Sequence, residues 1–356
     1  MLSLLLLGTV PLSAVLRYLV GAPPIWIFVV SACGVAVLAH WISGATEDIA
    51  DRAGPAIGGL LNISFGSIAE LVLAIFVLMD GHPEVVRAQI TGSIIGTALL
   101  GLGIAIMVGG FSRDKQVFRR ERAGLLSSML ILLLIALLLP AVFDLALRLR
   151  PEPHDLAFSD KELSLGVSAV LLVLYAGNLI YTLITHRSVF SGEEPRHSKE
   201  TSAASLKGPL AILVLGTVAI AFEAELVSGA LEATSEQLHL SKLFLGIIVL
   251  ALVGTSADLF AAVVFAARDK MGLVMEICLG SAIQIALVIA PLLTVIAYLI
   301  GKPMDLVFSN PLDLFAFAAT ALIVQSVASD GETTWFEGLL LVGVYVLLAL
   351  GFFLVG

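Results

Sequence analysis

Long apolar runs dominate the chain. Walking along it gives eleven stretches of roughly twenty mostly apolar residues, the length that spans a bilayer as a helix. They fall at about 2–20, 24–42, 55–79, 85–110, 123–147, 163–186, 207–232, 241–267, 272–300, 307–328 and 334–355. Pro, Gly and charged residues separate them, as at Pro23-Pro24, Asp80-Gly81-His82-Pro83 and Lys302-Pro303. Only 13% of the 356 residues are charged, and 59% are hydrophobic. A soluble domain carries about 25% charged residues, so the chain reads as an all-α integral membrane protein with the lipid bilayer as its solvent. The first run lacks a positively charged start and its Arg17 comes late, so it reads as a true helix and not a secretion signal.

The charge pattern excludes several classes. The net charge is −9, and no basic stretch suggests a nucleic-acid partner. Cys33 and Cys278 lie in apolar runs without metal-ligand spacing and read as packing residues. No His-Glu-x-x-His, Gly-x-Ser-x-Gly or P-loop lysine motif is present. The chain is therefore expected to be no enzyme, to need no cofactor and to carry no ATP-driven pump.

Lys and Arg in the loops set orientation. Arg113, Lys115, Arg119, Arg120 and Arg122 crowd loop 111–122, and Arg187, Arg196, Lys199 and Lys207 crowd loop 187–207. Both loops follow even-numbered spans, so both fall on the cytoplasmic side. The N-terminus is then cytoplasmic and the C-terminus outside, although Arg148, Arg150 and Lys161 on the other side weaken the asymmetry. The short termini point to a prokaryotic plasma membrane.

An internal repeat organises the chain. Gly66-Ser67-Ile68-Ala69-Glu70-Leu71 is matched by Gly254-Thr255-Ser256-Ala257-Asp258-Leu259, 188 positions later. Gly92-Ser93-Ile94-Ile95 is matched at the same offset by Gly280-Ser281-Ala282-Ile283, and Ala98-Leu99 by Ala286-Leu287. Glu70 lies on the third span and Asp258 on the eighth, so five spans separate equivalents and the copies run in opposite directions through the bilayer. The expected organisation is an extra N-terminal helix at 1–20, a five-helix repeat at 24–186, a cytoplasmic linker at 187–206 and a second, inverted five-helix repeat at 207–356. Inverted repeats of this type place a transport site near the midplane on interrupted helices. Gly66 and Gly254, four residues before each acid, mark where each helix would open.

Two carboxylates inside a bilayer persist only when paired, protonated or liganded. If Glu70 and Asp258 meet at the repeat interface, they form one oxygen-rich site. Ser67, Thr255, Ser93, Ser281, Thr97 and Gln284 are the side chains placed to complete it. Carboxylate, hydroxyl and amide oxygens suit a hard cation such as Ca²⁺. One divalent cation, or protons, neutralises the pair, and both together leave it over-charged. Mutual exclusion at one alternately exposed site makes an antiporter. Glu223 and Glu225, in the seventh span, face different sides of one helix and are candidates for a proton or cation path. A channel also needs polar residues at midplane, but it does not need one acid in each of two inverted halves. Oligomeric state stays open, with a homo-oligomer one outcome.

The motifs resemble a known family. Leu61-Asn62-Ile63-Ser64-Phe65-Gly66-Ser67-Ile68-Ala69-Glu70-Leu71, followed by Gly92-Ser93-Ile94-Ile95-Gly96, resembles the first α-repeat of the cation/proton exchangers, within the Ca²⁺:cation antiporter superfamily. Tyr175, Thr185 to Phe190, Glu225-Leu226-Val227, Gly280 to Leu287 and Asp330 to Gly338 extend the likeness over nearly the whole chain from about residue 55. The resemblance implies eleven spans, Ca²⁺ or a related divalent cation moved against H⁺, and Glu70 and Asp258 as central ligands. Departures exist. The family's Asn before each acid is Ser67 and Thr255 here, its Glu-His pair is Asp258-Leu259, and the Asn closing the first Gly-Ser motif is Thr97. Gly254-Thr255-Ser256 also resembles the Na⁺/Ca²⁺ exchanger branch, with Ala257 in place of that branch's Pro, which keeps Na⁺ as an alternative counter-ion.

Overall fold

The computed structural model describes residues 7–53, 65–149, 156–180, 206–308 and 310–355. Twelve helices carry the fold: α1 (Thr9–Val20), α2 (Pro24–Ala53), α3 (Ile68–Met79), α4 (Pro83–Gly110), α5 (Arg120–Arg148), α6 (Leu156–Ile180), α7 (Lys207–Leu238), α8 (Lys242–Gly254), α9 (Ser256–Ala267), α10 (Met271–Leu299), α11 (Pro311–Asp330) and α12 (Trp335–Val355). Eight are long and apolar enough to cross a membrane. The pair α8 and α9 is apolar and long enough together but bent by 57°, and α1 and α3 are shorter apolar helices. The chain is a multi-pass membrane protein. The expected linker at 187–206 and the Asn62-bearing start of the first motif lie outside the described residues, except Leu206.

Several expected boundaries move. The second apolar run, expected to end near 42, continues as helix through Ala53. Ala45, Thr46 and Ile49 are buried on that extension, so packing carries the helix past the polar Thr46-Glu47-Asp48. Trp41 sits well inside α2, while Trp26 and Trp335 stand at helix starts, exposed as interfacial aromatics are. The eighth run is one span in sequence but two helices in space, bent by 57° at Thr255.

Helix packing sets up a core and a flanking pair. Helix α7 lies along α2 and also packs on α3 and α1. Helix α4 is central, packed against α8, α9, α10 and α12. Its burial is almost complete, with Val85, Val86, Ile94, Ile95, Leu99 and Leu102 inaccessible. Helices α5 and α6 enclose the far side against α10, and α11 packs on α5 and α4. A two-stranded clasp escaped sequence reading: β1 (Gln116–Val117) pairs antiparallel with β2 (Glu332–Thr333). Strands of two residues leave no readable alternation.

Helix boundaries repeat with the motifs. α3 begins at 68 and ends at 79; α9 begins at 256 and ends at 267. α4 begins at 83 and α10 at 271. All three boundaries are displaced by 188 residues. Each of α4 and α10 also relaxes into a π-helical stretch just past its Gly-Ser motif, at Gly96–Gly101 and Ile285–Ile289. Such insertions in helices frequently mark functional sites.

Candidate functional site

Glu70 and Asp258 each stand in the first turn of a helix, α3 and α9. In the second half the apolar run bends by 57° at Thr255, just before its acid. The break has one geometry in both halves. Ser67 (φ −108°, ψ 23°) and Thr255 (φ −94°, ψ 4°) leave the helical region and cap the helix that follows. It is a kink rather than an opening. Thr255 N still donates to Ala251 O at 3.0 Å, and Leu259 N to Thr255 O at 3.1 Å. The Thr255 hydroxyl donates to Ala251 O at 2.8 Å, a side-chain bond of the type that bends helices. Both acids thus sit at the N-terminal end of a helix, where backbone N–H groups are free.

The structure brings the two halves together. A methyl group built on Gly254 would lie 3.2 Å from Cα and Cβ of Glu70 and 3.4 Å from its Cγ. The kink of the second half therefore packs directly on the acid of the first, and only glycine leaves ordinary clearance. Asp258 is close enough for its charge to act on Glu70. The Ser281 hydroxyl donates to Asp258 Oδ2 at 2.7 Å. Ser93 lies beside Glu70, yet Glu70 Oε1 and Ser93 Oγ are both buried without a hydrogen-bond partner. Glu70 is 2% exposed, whereas Asp258 is partly exposed. The two halves repeat in sequence and boundary, but their acids are in different environments.

The other expected ligands divide. Ser67, Ser93, Thr97, Thr255 and Ser281 are buried, and Gln284 is partly exposed. Thr97 donates to Ser93 O at 2.8 Å, so, like Thr255, it keeps only oxygen lone pairs for a cation. Glu223 and Glu225 do face opposite ways: Glu223 is inaccessible, and Glu225 is exposed on α7. Glu223 is held by Ser13, on a different helix from either Gly-Ser motif.

Two neighbours were missed as site residues. Gln89, read as a helix–helix donor, does donate Nε2 to the Glu70 carbonyl oxygen at 3.3 Å. Its Oε1, however, is buried with no partner and is one more uncommitted oxygen beside Glu70. Cys278, read as packing, is buried within electrostatic reach of Asp258. Both fall on non-matching positions of the repeat, opposite Ile277 and Ile90, so the offset gave no signal. Cys33 is exposed and is not a core packing residue; it and Cys278 are both free thiols.

The donor set is oxygen-rich and sparsely charged. Among the described residues no group of three or more His, Cys, Asp or Glu is arranged to hold a metal. Two carboxylates with neutral oxygens around them match a cation that binds and leaves, since affinity rises with ligand charge and rigidity. Two acids in the first turns of helices that start at matched repeat positions, inside a multi-pass bundle, point to a class: membrane transporters.

Comparison with known proteins narrows the class. The sequence profile of the family described as sodium/calcium exchanger protein matches residues 23–184 and 208–354. The "Ca(2+)/H(+) antiporter" of Synechocystis sp. is 38% identical over 365 residues, covering 98% of this chain and 96% of its own length. The solved structure of native YfkE superposes with a TM-score of 0.84 at 31% identity, covering 99% of both chains. The sodium-calcium exchanger NCX_Mj shares the fold, at a TM-score of 0.55 and 17% identity over 91% of this chain and 97% of its own. The chain belongs to the sodium/calcium exchanger protein family.

Proposed function

We propose that this protein is a secondary antiporter exchanging Ca²⁺, or a related divalent cation, for H⁺ by alternating access at the Glu70–Asp258 site. The observation that carries this reading is the packing of the Gly254 kink on Glu70, which joins one acid from each copy of the repeat. Ser67, Ser93, Thr97, Thr255, Ser281 and Gln284 complete the oxygen shell, and Gln89 Oε1 adds to it. Two negative charges bind one divalent cation or give way to protons. Lower pH therefore weakens Ca²⁺ binding by competition. The likeness to the Synechocystis antiporter and to YfkE, itself a Ca²⁺/H⁺ antiporter, supports H⁺ as the counter-ion. The likeness to the sodium-calcium exchanger extends to fold alone.

The unequal environments of the two acids suit one state of an alternating-access cycle, in which one half is closed on its acid and the other is looser. Two inverted five-helix repeats, 24–186 and 207–356, with α1 outside them, provide the scaffold. The protein works as a transporter and not an enzyme, without a cofactor, in a prokaryotic plasma membrane with the N-terminus cytoplasmic.

The test is ⁴⁵Ca²⁺ uptake into proteoliposomes under an imposed H⁺ or Na⁺ gradient, for wild type, Glu70→Gln and Asp258→Asn. Uptake is expected under the H⁺ gradient alone and is lost in both variants. Uptake driven only by Na⁺ would overturn the coupling, and Ca²⁺ movement that survives both substitutions would overturn the site.

A further inference from the structure

Glu223 is a fully inaccessible carboxyl remote from the Gly-Ser motifs. It lies where α7 meets α2 and α1. A methyl group on Gly34 of α2 would come within 3.0 Å of its Cδ and 3.2 Å of Oε2, so the glycine makes the space the carboxyl fills. Ser31, one turn earlier on α2, faces the same carboxyl, with its Oγ buried and unpartnered. Glu223 Oε2 is likewise buried without a partner. Charged and titratable groups on the surrounding helices include Arg17 and Tyr18 of α1, Cys33 and His40 of α2 and Glu70 of α3. None of them pairs with Glu223, whose partners are hydroxyls.

The hydroxyl of Ser13 decides what the carboxyl is. Ser13 Oγ lies 2.7 Å from Val10 O and 2.7 Å from Glu223 Oε1. A serine hydroxyl has one hydrogen and two lone pairs. A carbonyl oxygen can only accept. If Ser13 donates to Val10 O, the contact with Glu223 is a hydrogen bond only when Glu223 carries a proton and donates it. If Glu223 is ionised, Ser13 turns to the carboxylate and releases Val10 O. Ionisation also leaves a negative charge in an apolar interface with only hydroxyls against it, a costly state.

We infer that Glu223 is a second proton-binding site, separate from the Glu70–Asp258 pair, and that α1 caps it in its protonated form through Ser13. The group bound is a proton, taken from and returned to water. On its loss the Ser13 hydrogen swings from Val10 O to the carboxylate, and Val10 O within α1 loses that bond. The α2–α7 pair thereby acquires a proton-dependent contact with a helix outside the repeat. This inference rests on the antiport reading only for its effect on exchange; the protonation itself stands apart from it.

The experiment uses infrared spectroscopy of the purified full chain, wild type against Glu223→Gln and Ser13→Ala, with pH stepped from about 6 to 9, the span in which a buried carboxyl can titrate. The expected result is a carboxylic-acid carbonyl component, beyond any from the Glu70–Asp258 pair, that is present in wild type and lost from the Glu223→Gln difference spectrum. The stretch should weaken reversibly as pH rises and shift in frequency in Ser13→Ala. In proteoliposomes, Glu223→Gln flattens the pH dependence of Ca²⁺ exchange. No acid band at the low end of the range, a band indifferent to pH, or a Glu223→Gln exchange profile superimposable on wild type would each overturn the proposal. Ser13→Ala preserves the test if Glu223→Gln does not fold. A titrating Glu223 band in a protein that moves no Ca²⁺ would remove the antiport reading and leave the proton site.

Discussion

Glycine 92 and glycine 280 occupy equivalent places in the repeat and do different work. A methyl group at position 92 would meet Ile247 O at 1.8 Å and Ala251 Cβ at 2.7 Å, so α4 and α8 touch backbone to backbone there. At position 280 nothing lies within 4 Å. Gly92→Ala is therefore expected to destabilise the protein by about 2–3 kcal/mol, the scale of an overpacked core. Gly280→Ala is neutral or stabilising by up to about 1 kcal/mol, from helix propensity. Thermal unfolding of both variants in detergent checks the contrast, and equal shifts would contradict it. The sequence shows both Gly-Ser motifs equally well. It does not show which glycine carries a helix contact and which stands open, because that depends on how far each half has closed. For the same reason Ser281 reaches Asp258 while Ser93 is left unpartnered.

Among the elements, those written in long apolar runs were legible, and those made by a few residues were not. The acids, the Gly-Ser motifs and the 188-residue offset are visible because polar residues are rare in this chain. The kink at Thr255 was half visible: Gly254 marks the place, but the bend follows from one residue leaving the helical region while its neighbours stay bonded. The β1–β2 clasp was invisible, since its residues come from loops more than 200 positions apart. Its anchor is a helix cap: Glu337 Oε2 accepts from Thr334 N at 3.0 Å and from the Thr333 hydroxyl at 2.5 Å. Glu337→Ala should cost about 1 kcal/mol, as loss of a capping side chain does. It should also speed amide hydrogen exchange at Phe118, whose N–H bonds to Gly331 O at 3.0 Å. Unchanged exchange there would show that the clasp holds without its cap.

The whole molecule has two ends, and its ion pairs sort between them. Arg113–Asp269, Lys115–Glu332 and Arg122–Glu276 link the α4–α5, α9–α10 and α11–α12 turns and the helix ends beside them. Arg87–Asp305 joins the start of α4 to the segment after α10, and Lys242–Glu232 lies at the α7–α8 turn. These groups belong to opposite ends of the same helices, so antiparallel neighbours alternate across the bundle. The end with the clasp also carries Arg119 and Arg120. Basic loops stay on the cytoplasmic side of a membrane, so the proposed orientation predicts a cytoplasmic clasp and an outside segment after α10. Exposed pairs of this type contribute little to stability, so the clustering bears on orientation more than on stability. Single cysteines at Asp114 and at Lys302, in a background with Cys33 and Cys278 replaced by Ser, make the orientation measurable. A membrane-impermeant thiol reagent applied to intact cells should label the Lys302→Cys variant and leave Asp114→Cys unlabelled until the membrane is opened. The reverse pattern would invert the protein in its membrane.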